Sequence, residues 1–260
     1  MEDFKFSTLE YKRPDCEGFA AFAAETKERI ERAAGYEEVK EAMLAYDERQ
    51  KDFFTDASIL HIRHTLDTTD TFYEQENDYY ESAYPTILPQ LLSVDEALMS
   101  SPYRAAIENE YGKQFFSRKE LDKKAFCEAN IPLMQQEAKL CSEYEKLMAT
   151  AQIPFDGKTL NLYGIQKYFE HEDRAVRKGA VHAYLDFFHR NEERLEAIWD
   201  ELIQTRNQMG RNLGFENYIP VGYMKQGRTD YGQKEVESFR EQVRTVIVPI
   251  CQKLYEAQAR

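Results

Sequence analysis

Asp173-Arg-Ala-Val-Arg177 opens, and Leu202-Ile-Gln-Thr-Arg206-Asn-Gln-Met-Gly-Arg-Asn-Leu-Gly-Phe-Glu-Asn-Tyr218 closes, the stretch that decides the fold. Between them Val176, Ala180, Ala183, Tyr184, Phe187, Phe188, Leu195, Ile198, Leu202, Met209 and Leu213 recur at intervals of three and four, which is one broad apolar face of a helix. Asp173 can cap the start by accepting an orphan backbone N–H, and Gly214 can stop the end because it tolerates positive φ. The spacing predicts one long helix near 173–213, the spine of a mainly α chain.

Working back from that spine, Gln152-Ile-Pro-Phe-Asp-Gly-Lys-Thr-Leu-Asn-Leu162 carries the one β signal. Asp156-Gly157 suits the positive dihedrals of a tight hairpin turn, so a small β-hairpin is expected near 151–162, followed by a short helix at 164–169. Pro132 is expected to restart a helix with the stripe Met134, Ala138, Cys141, Tyr144 or Glu145, and Met148. Ser117-Arg-Lys-Glu120 has the form of a capping box, and Ser101-Pro102 that of a helix start ended by Gly112. Earlier still, Cys16, Phe19, Phe22, Ala23 and Ile30 mark a helix broken at Gly35. Tyr36, Val39, Met43 and Tyr46 mark a second, and helices continue through 59–66 and the aromatic run to Tyr84, with a break or kink at Pro85 and Pro89.

Beyond the spine, a Gly- and Tyr-rich loop from Tyr218 to Tyr231 leads to a last helix through Val236, Phe239, Val243, Val246, Ile247, Ile250 and Leu254, bent at Pro249. Helical composition persists to Arg260, as if the chain were cut inside an element. The expected fold is thus a multi-helix array with one long central helix and a hairpin insertion. It divides into an N-terminal helical region, 1–116, and a second, 117–260, that continues into an absent C-terminal half.

The chain has 260 residues, 42% of them hydrophobic, enough for a sizeable core. Its net charge of −13 disfavours nucleic acid and anionic membranes as partners, since both reward clustered positive charge. The segment from Glu37 to Glu81 is strongly acidic, relieved only by Lys40, Arg49, Lys51 and Arg63, and reads as solvated helix faces. Cys16, Cys127, Cys141 and Cys251 form no CxxC pair and read as reduced residues of a cytoplasmic protein. There is no basic leader followed by an apolar run and no stretch approaching 18 apolar residues.

Few residues suggest chemistry. His61-Ile-Arg-His64 places two imidazoles one turn apart, a chelating spacing if a carboxylate joins them. Asp186-Phe-Phe-His189 is at most half of a di-metal motif, and His182 reads as a satisfied helix residue beside its aromatic neighbours. His171-Glu172 fails as HExxH because Ala175 stands where the second histidine is needed. Tyr218, Tyr223 and Tyr231 are the candidate substrate-binding residues, because tyrosine offers a flat apolar face and a hydroxyl for main-chain groups of a peptide. No catalytic or metal-ligating residue is assigned.

The segment Leu202 to Tyr218, with its Arg206 and Leu213-Gly-Phe-Glu-Asn-Tyr218, resembles the signature of oligoendopeptidase F and the thimet-oligopeptidase-like zinc metallopeptidases. Asp173-Arg-Ala-Val-Arg177, the hairpin, Tyr231, Glu235-Val-Glu-Ser-Phe239 and Val248-Pro249 extend the likeness. It implies the N-terminal half of a bowl-shaped helical peptidase that hydrolyses short peptides with zinc, this portion forming a wall of the substrate channel. In that family the HExxH helix and its downstream glutamate belong to the C-terminal half, so zinc is expected for the complete enzyme, with no ligands here and no activity of this chain alone. The expected partners are short peptides and the C-terminal catalytic half. Arg206, Gly214, Phe215, Asn217 and Tyr218 carry the likeness in structural roles. The alternative is a non-enzymatic helical module that binds peptides or a protein, and a third class is a metal protein built on His61, His64 and the acidic segment.

Overall fold

A computed structural model describes residues 5–259. Eleven helices and one hairpin follow in order: α1 (Cys16–Arg32), α2 (Tyr36–Leu66), α3 (Thr71–Ser100), α4 (Arg104–Tyr111), α5 (Lys113–Lys124), α6 (Ile131–Ala149), β1 (Ile153–Phe155), β2 (Lys158–Leu160), α7 (Leu162–Gln166), α8 (Arg174–Asn212), α9 (Ile219–Lys225), α10 (Gln233–Gln242) and α11 (Val248–Gln258). The mainly α array, the long helix and the antiparallel hairpin are as the sequence predicts. In the hairpin Ile153 pairs with Leu160 and Phe155 with Lys158, and Asp156 and Gly157 take φ of 53° and 70° to turn it.

Local chemistry explains most boundaries. Asp15, Asp70 and Asp173 each accept a backbone N–H of the following first turn, and Asn161 does the same for α7. Ser101 Oγ accepts the Tyr103 N–H, and Gly112, at φ 84°, separates α4 from α5.

Several expectations change. Ser117 caps nothing: it lies inside α5, and its hydroxyl donates to the carbonyl of Lys113 one turn back. The helix across Pro85 and Pro89 is unbroken, because α3 is clamped by α1, α2 and α6, and that packing outweighs the lost backbone bonds. The segment 218–231 contains α9, with Pro220 in its first turn where a missing N–H is harmless. Before Pro249 the chain forms a π turn, Val243–Ile247, whose wider winding gives the proline ring room next to the carbonyl of Thr245.

Two apolar clusters hold the array. The larger joins α1, α2, α3, α4 and α5 around Phe19, which is fully buried and stacked on Phe53 at 4.5 Å and Tyr46 at 5.7 Å between ring centroids. The smaller seats the hairpin and α7 on α8 through Ile153, Leu162, Ile165, Ala180 and Phe187. All four cysteines are free thiols, Cys16 buried and the others half-buried. No described helix is long and apolar enough to cross a membrane.

The segment before α1 is strapped onto α3. Glu76, 5% exposed, accepts hydrogen bonds from Tyr11 Oη at 2.8 Å and from Arg13 Nε at 2.8 Å, and Arg13 also lies over the Tyr79 ring. The Arg13 guanidinium, helped by the Tyr11 hydroxyl and opposed by burial, holds the Glu76 carboxyl below the usual value of 4.5. A carboxyl more acidic in the folded than in the unfolded chain adds stability that is complete above that value and is lost as pH falls through the depressed one. Urea unfolding followed between pH 3 and pH 7 should therefore show Glu76→Gln flattening the acid limb of the stability profile, roughly over pH 3 to 5. An unchanged acid limb would remove Glu76 from the strap.

Candidate functional site

The signature at the end of α8 is a backbone knot. Gly210 lies where the returning chain crosses the helix, and Phe215 N–H bonds back to the Gly210 carbonyl at 3.0 Å. A Cβ on Gly210 would stand 2.4 Å from the Asn217 carbonyl oxygen and 3.0 Å from the Tyr218 nitrogen. Gly214, at φ 84°, makes the return, Asn207 Oδ1 accepts the Tyr218 N–H at 3.2 Å, and Asn217 Oδ1 accepts the Ile219 N–H to start α9. The buried amide of Asn130 closes the helix end by donating to the Met209 carbonyl and accepting from Asn212. Arg206 donates to Glu137 on α6 at 2.6 Å, and the second oxygen of that carboxylate faces Lys225 of α9 at 3.6 Å. The structural roles of Arg206, Gly214 and Asn217 are thus visible. Gly210, Asn207 and Asn130 are the residues the sequence reading missed, since each acts on a chain segment remote from it.

Knot and α9 together position the three candidate tyrosines. Tyr218 is half-buried, with Lys225 Nζ 5.6 Å from its ring centre. Tyr223 and Tyr231 come together on Arg228, whose guanidinium carbon lies 4.4 Å from one ring centre and 5.3 Å from the other. Gln114 Nε2 donates to Thr229 at 2.7 Å, and Gly227, at φ 67°, sits directly against the Arg118 guanidinium, so the loop is docked on α5.

Beside it opens a cleft of about 850 Å³ between α2, α3, α5, α6 and α9. Tyr46, Phe54, Tyr84, Phe115, Phe126 and Met134 form much of its wall; Tyr218, Tyr223 and Tyr231 do not. Its polar groups include the ion pair Lys119–Asp95 at 2.5 Å and Arg118–Asp122 at 3.5 Å. Burial pushes the Tyr84 hydroxyl up to about 12 and raises the Asp95 carboxyl against the pull of Lys119.

The histidines do not form a metal centre. His61 is exposed while His64 is buried, its Nε2 3.2 Å from Glu74. His171 is exposed and its Nδ1 accepts the Asp173 N–H, His182 is exposed, and His189 faces Glu192 at 3.6 Å. Among the described residues no group of three His, Cys, Asp or Glu side chains converges to hold a metal ion. The described residues therefore offer no donor set that fits a zinc ion.

A further feature is apolar surface facing solvent. Val181, Leu185, Trp199 (65% exposed) and Ile203 share one face of α8, and Phe239 (65%), Val246, Ile250 and Leu254 (59%) run along α10 to α11. Large apolar side chains left this bare are the kind of surface that interfaces cover.

Residues 6–126 match the Peptidase M3 N-terminal domain. Among solved structures, PZ peptidase A with inhibitor 2 is 39% identical with a TM-score of 0.94, the match covering 98% of this chain and 45% of that one. An X-ray structure assigned to oligoendopeptidase F is 39% identical with a TM-score of 0.95 and the same coverage. Another so assigned, from Bacillus anthracis str. Ames, is 35% identical with a TM-score of 0.95, covering 99% of this chain and 47% of that one. The chain thus spans somewhat under half the length of each. No curated protein matches it.

Proposed function

We propose that this chain, whose residues 6–126 match the Peptidase M3 N-terminal domain, is the N-terminal portion of a zinc-dependent oligopeptidase. It forms one wall of a channel that admits short peptides, and Tyr218, Tyr223 and Tyr231 face the substrate. The ligands of a zinc ion would come from outside these residues, in the C-terminal half of the same protein, and the metal would supply Lewis-acid chemistry there. The work of this chain is to bind, orient and exclude by size, in the cytoplasm, without nucleic acid or membrane as partner. The chain divides into helical regions 1–116 and 117–260, the larger apolar cluster lying in the first and the smaller in the second, with α6 packed on α3 across the division.

The observation that carries the reading is that nearly the whole chain matches, at 35–39% identity, less than half the length of its relatives, with bare apolar side chains on α8 and, separately, along α10 to α11. A partner half that covered them would gain about 25 cal/mol for each Å² of apolar surface buried.

The test compares residues 1–260 with a polypeptide of the relatives' length that carries them, using a quenched heptapeptide. The longer protein is expected to cleave it, to lose activity to a chelator and to regain it with zinc, while residues 1–260 neither cleave nor bind stoichiometric zinc. Cleavage with stoichiometric zinc by residues 1–260 alone would place the active site here and overturn the reading.

A further inference from the structure

Arg228 is a half-buried residue, yet among the described residues its side chain donates no hydrogen bond and has no carboxylate within 4.0 Å. Its environment is aromatic, with Tyr223 at 4.4 Å and Tyr231 at 5.3 Å. An aromatic ring is a weak acceptor, so these contacts leave the guanidinium N–H donors with capacity for a planar oxygen acceptor. The backbone that carries it is held in place: the Arg228 N–H bonds to the Tyr223 carbonyl, Thr229 is tied to Gln114, and Gly227 rests on Arg118. A loop ordered before its partner arrives loses little entropy on binding it.

The loop thus joins two guanidinium groups, Arg228 on it and Arg118 beneath it, and Arg118 lines the aromatic cleft. An edge-on guanidinium recognises a carboxylate through two parallel hydrogen bonds. A carboxylate next to an apolar, aromatic-walled cleft matches the end of a peptide, where the free α-carboxylate lies one bond from the Cα that bears the terminal side chain.

We propose that Arg228 binds the free C-terminal carboxylate of the peptide substrate, with Tyr223 and Tyr231 as positioning residues and the 850 Å³ cleft receiving the apolar side chains near that terminus. The proposal rests on the peptidase reading above and names how the substrate is anchored. Length selection follows, because a peptide held by its terminus presents a bond at a set distance to the reacting centre.

The experiment uses two peptides identical except for a C-terminal acid or amide, with a protein of the relatives' length that carries this chain. The acid is expected to show a KM about tenfold or more below that of the amide, the usual strength of a hydrogen-bonded charge pair. Arg228→Ala should bring the acid-to-amide ratio to about one, and Arg228→Lys should restore only part of it, since a point charge lacks the fork. Tyr223→Phe, which keeps the ring, should preserve the ratio, and Tyr223→Ala should reduce it. A wild-type ratio of one, or a ratio that survives Arg228→Ala, overturns the proposal and leaves Arg228 as a partner for a carboxylate of the protein itself. If neither peptide is cleaved, the peptidase reading fails by itself. Equilibrium binding of the same pair then decides: an acid preference removed by Arg228→Ala supports the anchor, and no preference overturns it.

Discussion

Gly210→Ala is expected to destabilise the chain by about 2 kcal/mol or more, although alanine is the better helix former by about 1 kcal/mol. The added Cβ would lie 2.4 Å from the Asn217 carbonyl oxygen and 2.6 Å from its carbon. Both are backbone atoms in a return loop pinned by Asn207 and by the Phe215–Gly210 bond, so neither can swing aside as a side chain would. The steric cost therefore outweighs the gain in propensity. Gly222→Ala in α9 is the matched control: the nearest atoms to its Cβ are 3.9 Å away on the Tyr218 ring, and the substitution should stabilise by up to about 1 kcal/mol. Urea unfolding of the two variants gives shifts of opposite sign, and a neutral or stabilising Gly210→Ala would show that the knot is loose.

Phe19→Ala should cost about 3–5 kcal/mol, the larger loss, because it removes a side chain with no exposed surface from the stack with Phe53 and Tyr46. The cavity would open where α1, α2 and α3 meet, and the backbones of three long helices cannot close on it together. Trp199→Ala, although it deletes a larger ring, should change the stability of residues 1–260 by no more than about 0.5 kcal/mol, since the indole is 65% exposed. Thermal unfolding would rank the two. A Trp199 effect as large as that of Phe19 would mean that the α8 face is already covered in solution, by a second copy or by another part of the array.

Much of the fold was legible for local reasons. The capping aspartate and the stopping glycine of α8, the turn pair Asp156-Gly157 and the proline at the head of α6 each act within a few residues of where they stand. The misreadings share the opposite cause. Ser117 has the sequence of a cap, but α5 had already begun at Lys113, and the helix offers its hydroxyl a carbonyl instead. Pro85 and Pro89 predict a break or kink, and packing against three other helices keeps the helix continuous through both. Of the candidate site, Tyr218, Tyr223 and Tyr231 could be picked out as an aromatic group, but the placing of Arg228 between two of them depends on α9 and on docking against α5.

The sequence by itself determined the helical class, the long spine, the hairpin and the family likeness, because periodicity, caps and turns are set by neighbours along the chain. Only the tertiary structure decided which aromatics are core and which are bare, that His64 turns inward to Glu74 while His61 does not, and that Gly210 is needed for a crossing rather than for flexibility. Those outcomes depend on what another segment brings to within a few ångströms, and spacing along one helix carries no record of it.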